Sequence, residues 1–574
     1  MASEGKSIGK QTECKLMLHF QHIPLPKVTI SAFTETGQPE SSIIVPKQRA
    51  YTSRKPVISS RLADTPCATL GIWGLLDLLN MTLGTSHTLD TPSLSPLLED
   101  CITNNYDFGM AYGRLRPIWY TRDWSTIRDL LRRQEEEDQE MRREAYSGNR
   151  IVHPHLQPRR VWDLYSNRVV PWWSTGIPVY ERDHWPRPIS HAWIDGKDRV
   201  DVWTPINGYG WPVPIPKDTN LKLIRIEMLN LEVEYTWLDV LCLRQVGGWG
   251  EYMRTEEWKL DVPTIGAVYD QRKVVCYLSG LGRPLTLKEG DLDSDRSWFR
   301  RAWTLQEVGG SRVIAGDMPD RPLHAKPVDE GGNYETGLLT RFHKQLKSID
   351  GMSYLVFAAL KGMQNRVSTT SVDKVAGLAF FLGSKMLPVY HEGQSLEQAW
   401  TALVNSMAEW HRGPLFFWYP EPGNSGKKWR PSWDQVMTKP LPVDHDPIVG
   451  MGIDRDDTTD EDWCDVECIV TGLVRGLAVV EGVDRYGELT VQDKEGIEHV
   501  FNFTATHKYP IPEDVYTLVR TFRFTLNWEC PWVIGRRLPG KRFEKVSVLE
   551  IADEEGWRRL CDLHITKQHR YILV

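Results

Sequence analysis

Four short stretches of the 574-residue chain carry side chains able to do chemistry. "RRAWTLQE" ends at Glu307, four residues after Trp303. Residues four apart on a helix share a face, so the spacing predicts a carboxyl group lying against an indole. An apolar neighbour desolvates a carboxylate and raises its pKa. Glu307 also closely precedes Gly309, in a last helical turn where the helix dipole disfavours negative charge. The alternative is an ion pair with Arg300, Arg301 or a more distant arginine, which would only hold the fold.

"RPISHAW" sets Ser190, His191 and Trp193 at the end of a strand. A histidine there is either a ligand contact or a satisfied structural group. Asp239 interrupts the apolar run "WLDVL". A buried, unpartnered carboxylate is costly, so it pairs, with an arginine of the RRAW segment for instance, or faces a pocket. Cys242 in the same run has no basic neighbour in sequence and reads as a core cysteine. "NGYGWPVP", residues 207–214, is a Gly/Pro-rich aromatic loop suited to closing over a ligand, with Asn207 and Tyr209 in it.

The elements that must position these groups alternate. "RPISHAW" predicts a first strand. Asp218, Thr219 or Asn220 caps a helix over "LKLIRIEMLN", whose Leu221, Ile224, Met228 and Leu231 share one face. "YTWLDVLCL" predicts a second strand, and "EEWKLDVPTIGAVYDQ" a helix split or kinked at Pro263. "KVVCYLSG" predicts a third strand, "DRSWFRRAWTLQEV" a helix over residues 295–308, and "SRVIAG" a fourth strand. Four strands alternating with helices imply a parallel sheet with right-handed crossovers.

Around residues 186–320 the chain divides by composition. Residues 1–60 are polar and predicted disordered; 61–185 are helical with a Trp/Pro-rich lead-in. Residues 321–420 are again helical, 421–465 read as a linker, and 466–574 as an antiparallel β-rich domain. The net charge of −7 argues against a nucleic-acid partner. No apolar run reaches the roughly 18 residues of a membrane span. Nine scattered cysteines form no zinc or disulfide pattern, and the N-terminus lacks a signal-peptide core, so a cytoplasmic protein without a metal is expected. The 24 tryptophans read as core, with carbohydrate binding the distant alternative.

"ISHAW", "YTWLDVLCLRQ", "IGAVYDQRKVVCYLSG" and "FRRAWTLQEV", in this order, resemble the heterokaryon incompatibility (HET) domain of filamentous fungi, with Ile194 where the family has glycine. The resemblance implies a role in non-self recognition and regulated cell death. It also implies a core similar to Toll/interleukin receptor (TIR) domains, with a flavodoxin-like sheet. Some TIR domains cleave NAD at the nicotinamide–ribose bond through a W-x-x-x-E glutamate, which Trp303 and Glu307 match in spacing; Asp198 and Arg199 follow the first strand as charged residues do in TIR domains. The resemblance thus makes NAD or NADP a substrate rather than a cofactor, with Glu307 catalytic. Ser190, His191, Trp193, Asn207, Tyr209, Asp239 and Trp303 would bind it. A carboxylate near the ribose would stabilise an oxocarbenium-like state or guide water. The alternative is a non-catalytic module that oligomerises and recruits partners. Without sensor repeats or a P-loop, the trigger is self-association or another protein.

Overall fold

The computed structural model describes residues 57–574 except 179–184, 271–272, 308–310, 318–321, 351–354, 383–384, 444–451, 481–484 and 522–530. The disorder expected for residues 1–60 falls almost wholly outside the described residues. The described chain is mixed α/β with several sheets.

The site is carried by a six-stranded sheet. Its strands are β1 (Arg160–Asp163), β2 (Arg168–Pro171), β3 (Arg187–His191), β4 (Tyr235–Trp237), β5 (Lys273–Tyr277) and β6 (Ser311–Ile314). Their spatial order is β6-β5-β3-β4-β1-β2. β3 runs parallel to β4 on one side and to β5 on the other, and β5 runs parallel to β6. These are the four strands expected from the alternating pattern. The hairpin β1–β2 adds an antiparallel edge beside β4, from the stretch "RRVWDLYSNRVVP" that sequence left as part of the lead-in.

The helix Leu221–Asn230 forms as expected, with the Asn220 side chain accepting from the Lys222 amide. Its burial is wider than one face: Leu223, Ile226, Leu229 and even Arg225 are buried with Ile224 and Met228. The reason is a second cover. Arg225 donates to the carbonyls of Leu164 and Ile58, tying the helix to the segment that precedes the first helices. Pro263 divides Arg254–Asp261 from Ile265–Tyr269, as its ring and missing amide require.

Three expectations fail. The second strand stops at Trp237, and Asp239–Cys242 makes a helical turn closed by the Leu241 and Cys242 amides on the Leu238 carbonyl. The expected helix over residues 295–308 is two short 3-10 turns, Trp298–Arg300 and Trp303–Leu305. Between them the backbone at Arg301 is extended, because Val367 donates to the Arg300 carbonyl and accepts from the Ala302 amide. The linker over 421–465 instead holds a helix, Trp433–Thr438, with a Ser432/Gln435 capping box. It also holds strand Asp454–Asp456 and the start of Glu461–Arg475, so the β-rich region begins before residue 466. That region is an eight-stranded sheet, antiparallel but for one short parallel pairing of Arg542 and Phe543 with Ile572 and Leu573.

One hydrophobic cluster runs from Ile58 to Leu573 through all these regions. Trp119, Trp162, Trp298, Trp400 and Trp429 are among its largest fully buried side chains, and Trp532 is buried in a separate cluster of the C-terminal sheet, which accounts for part of the tryptophan content as core.

Beside the sheet, Arg116 is fully buried and pairs with Asp163 of β1 at 2.8 Å, and it also donates to the hydroxyl of Tyr235 of β4. Removing one partner of a buried pair strands the other charge, at about 3–5 kcal/mol. Arg116→Met is therefore expected to shift the chemical-denaturation midpoint strongly downward. Adding Asp163→Leu should recover most of the loss; failure to recover would mean that Arg116 acts through its packing instead.

Candidate active site

A cavity of about 380 Å³ opens beyond the carboxyl ends of β3 and β4, the end of an open α/β sheet where ligands bind. His191 and Trp193 reach it from the end of β3, and Asp239 from the turn after β4. Arg301, Trp303, Thr304 and Glu307 come from the two 3-10 turns. Thr370, Asp373 and Tyr390 supply the opposite wall from beyond residue 320, so the region expected to be a separate helical one completes the site.

Glu307 is partly buried and accepts a 2.6 Å hydrogen bond from the Ser190 hydroxyl. Ser190 in turn accepts from the indole N–H of Trp298 at 2.7 Å, which leaves its own proton for Glu307. Neither expected arginine pairs with Glu307. Arg300 bonds the Asp293 carbonyl and pairs with Asp295. Arg301 makes no ion pair among the described residues and lies with its guanidinium 5.0 Å from the Trp193 ring centroid. Burial pushes the Glu307 carboxyl up to about 7, helped by the nearby charge of Asp239 and opposed by Ser190, His191 and Arg301. The raised pKa expected from Trp303 is thus present, but its cause is the cleft and not helical stacking. Trp303 and Glu307 do not share a helix, and the dipole argument falls with it.

His191 is buried, with Nε2 3.0 Å from Asp239 Oδ1 and Nδ1 3.3 Å from the Ala192 carbonyl. Both neighbours accept hydrogen bonds, an arrangement that favours the protonated ring. Burial alone would lower its pKa, but the charge and hydrogen bond of Asp239 outweigh this and raise it. The same pairing, with the Val240 amide and Arg301, holds Asp239 below its ordinary value despite burial. Asp239 therefore pairs with His191 and not with an arginine of the RRAW segment. Glu307, open to the cavity with its carboxyl pushed up to about 7, is the acid–base candidate; Asp373, also raised by burial, lines the opposite wall.

Asn207 and Tyr209 do not line the cavity. Asn207 donates to the Trp211 carbonyl, fixing its own loop, and Tyr209 points to solvent in a left-handed conformation. Pro212 and Pro214 of that loop do reach the cavity wall. Cys242 is buried and pushed up to about 12 by burial, an inert core thiol as expected.

Sequence reasoning missed Arg366. Its guanidinium donates to the Arg301 carbonyl and the Thr304 hydroxyl, both at 2.6 Å, from beneath the turns. It also missed Asp373, which accepts from the Tyr390 hydroxyl at 2.7 Å. No pattern near either residue marks it. No family model, no curated protein and no solved structure matches this chain.

The raised carboxyl has a consequence for stability. From its ordinary value of 4.5 up to about 7, the unfolded chain releases the Glu307 proton before the fold does, so stability falls as pH rises through that window. Glu307→Gln removes this loss. The variant is expected to melt higher than wild type at about pH 8 and equally at about pH 4. A variant that melts lower at both would mean that the carboxylate is a stabilising structural charge.

Proposed function

We propose that the chain is a HET-domain protein with a TIR-like core that hydrolyses NAD or NADP at the nicotinamide–ribose bond. Glu307 carries the reading: a carboxyl raised to about 7, held by Ser190, in no ion pair among the described residues and open to a cavity. Numbered from β3, the parallel strands run 2-1-3-4, the beginning of the flavodoxin-like order, which supports the TIR-like reading. The four sequence motifs support the family, and with it a role in fungal non-self recognition and regulated cell death.

The chemistry asks little beyond this. The C1′–N1 bond breaks with its electron pair leaving on nicotinamide, and the ribose becomes an oxocarbenium ion. Ionised Glu307 stabilises that cation and takes the proton of the water that attacks C1′. The products are ADP-ribose (or its phosphate), nicotinamide and a proton. The His191–Asp239 pair lines the site beside Glu307.

A second reading, a module that recruits partners, is favoured by one surface. The loops over residues 203–212 and 245–253 pack tightly: a Cβ on Gly248 would stand 2.3 Å from the Gly210 carbonyl. They leave Trp203, Tyr209, Trp249 and Tyr252 exposed. Exposed aromatic patches mark interaction sites. The two readings meet if assembly through these loops activates the cleft. No described helix is long and apolar enough to cross a membrane.

Purified full-length chain at high concentration is expected to release nicotinamide from NAD, at a rate that rises with pH as Glu307 ionises around 7. Glu307→Gln should lower the rate on the order of a hundredfold or more with the fold intact. Wild-type release that persists in the variant would remove Glu307 from the chemistry. For the second reading, Trp249→Ala with Tyr252→Ala should abolish any steep dependence of rate on protein concentration; an unchanged dependence would free these loops of that role.

A further inference from the structure

Two of the cations lining the cleft have no ion-pair partner among the described residues. Asp239 pairs with His191, and Glu392 with Arg254. Asp373 is held by the Tyr390 hydroxyl, and burial raises its pKa. Glu307 is the raised carboxyl already described, and Asp201 lies in solvent at the rim. Arg199 and Arg301 also line the cleft, and neither makes an ion pair or a side-chain hydrogen bond among the described residues. Both are nevertheless held in place. Their guanidinium carbons stand 5.4 and 5.0 Å from the same ring centroid, that of Trp193, which also stacks with the His191 ring at 6.0 Å.

Stacking on an indole fixes a guanidinium plane while leaving its N–H donors unused. Two such forks beside one ring are a preorganised receptor for a dianion with oxygens on two centres. A second hollow of about 540 Å³ adjoins the cleft and shares Trp258, Tyr390 and Glu392 with it. Its aromatic wall faces Gln394 and Gln398, a surface that suits a stacked base with polar edges.

We infer that Arg199 and Arg301, pinned on Trp193, clamp the diphosphate bridge of a dinucleotide whose second nucleoside enters the hollow walled by Trp258 and Tyr390. This rests on the reading above that the cleft holds a nucleotide, and it deepens that reading: the site selects a diphosphate-bridged dinucleotide over a single nucleoside. Arg199 lies on the small hairpin of Arg199–Val202 with Val213–Pro216, and Arg301 on the turn that delivers Glu307. Occupancy of the clamp would therefore draw the hairpin and the acid-bearing turn onto one ligand.

The test is calorimetric binding of ADP-ribose and of nicotinamide riboside, which lacks phosphate, to the full chain. Wild type, Arg199→Gln and Arg301→Lys are compared; the lysine keeps the charge and loses the fork. Each substitution is expected to weaken ADP-ribose about tenfold or more and to leave the riboside unchanged. ADP-ribose binding that is absent in wild type, or equal in all three proteins with melting temperatures intact, overturns the clamp. If Arg301→Lys does not fold, Arg199→Gln on the partly exposed hairpin decides alone. Arginine-dependent ADP-ribose binding without nicotinamide release keeps the clamp and removes the hydrolase. Glu307-dependent release from riboside and dinucleotide alike, indifferent to both arginines, keeps the hydrolase and removes the clamp.

Discussion

The pairing of Val367 with the backbone of Arg300 and Ala302 is the contact on which the site depends. A sequence with good helical spacing is pulled into an extended residue between two tight turns. The carbonyls that helix bonds would have used go to Thr304 and Arg366 instead. The same geometry aims Arg301, Trp303 and Glu307 at one cavity. On a regular helix, side chains two and six residues from Arg301 could not face the same side as the arginine itself. Arg366 donates to the Arg301 carbonyl and the Thr304 hydroxyl, though burial of its charge still lowers its pKa to about 10.

With that backbone in place, the electrostatics follow. Asp239, Glu307 and Asp373 enter one poorly solvated space, and the environments of the first two push them apart. Asp239 pairs with His191 and is held below its ordinary value; Glu307 meets a hydroxyl and no ion-pair partner among the described residues, and burial outweighs the charges of His191 and Arg301 and pushes it up to about 7. Separated pKa values in neighbouring acids are how sites assign roles to chemically similar groups. Here the ionised acid is locked by its partner, and the one near neutrality is left free to exchange protons.

The rest of the chain serves as buttress. The hairpin β1–β2 covers the edge of β4, Arg116 bolts it to β4 from beneath, and Arg225 fastens the first crossover helix to the chain preceding it. Farther on, the buried amine of Lys545 of the C-terminal sheet donates to the carbonyls of Phe416 and Tyr419 at 2.6 Å. Burial drives its pKa well down. These long-range polar contacts join regions that composition divides, which is why one core passes through them all.

The sequence by itself determined the parallel strands, the split at Pro263, a cap among Asp218, Thr219 and Asn220, and the singling out of Ser190, His191 and Glu307 as polar groups at strand and turn ends. Each of these follows from local periodicity, from proline geometry or from a polar residue in an apolar run, and all are properties of a few adjacent residues. The Ser432/Gln435 capping box was legible too, in the spacing of "SWDQ", but was passed over inside a Pro- and Gly-rich stretch. Only the tertiary structure decided that residues 295–308 are not a helix, that Asp239 answers His191, and that Asn207 and Tyr209 stand outside the cleft. It alone brought Arg366 and Asp373 to the site from beyond the linker. The reason is physical: a helix propensity is worth tenths of a kcal/mol per residue. A strand-like pairing and a buried guanidinium from more than sixty residues away, each satisfying several backbone groups at once, outweigh it.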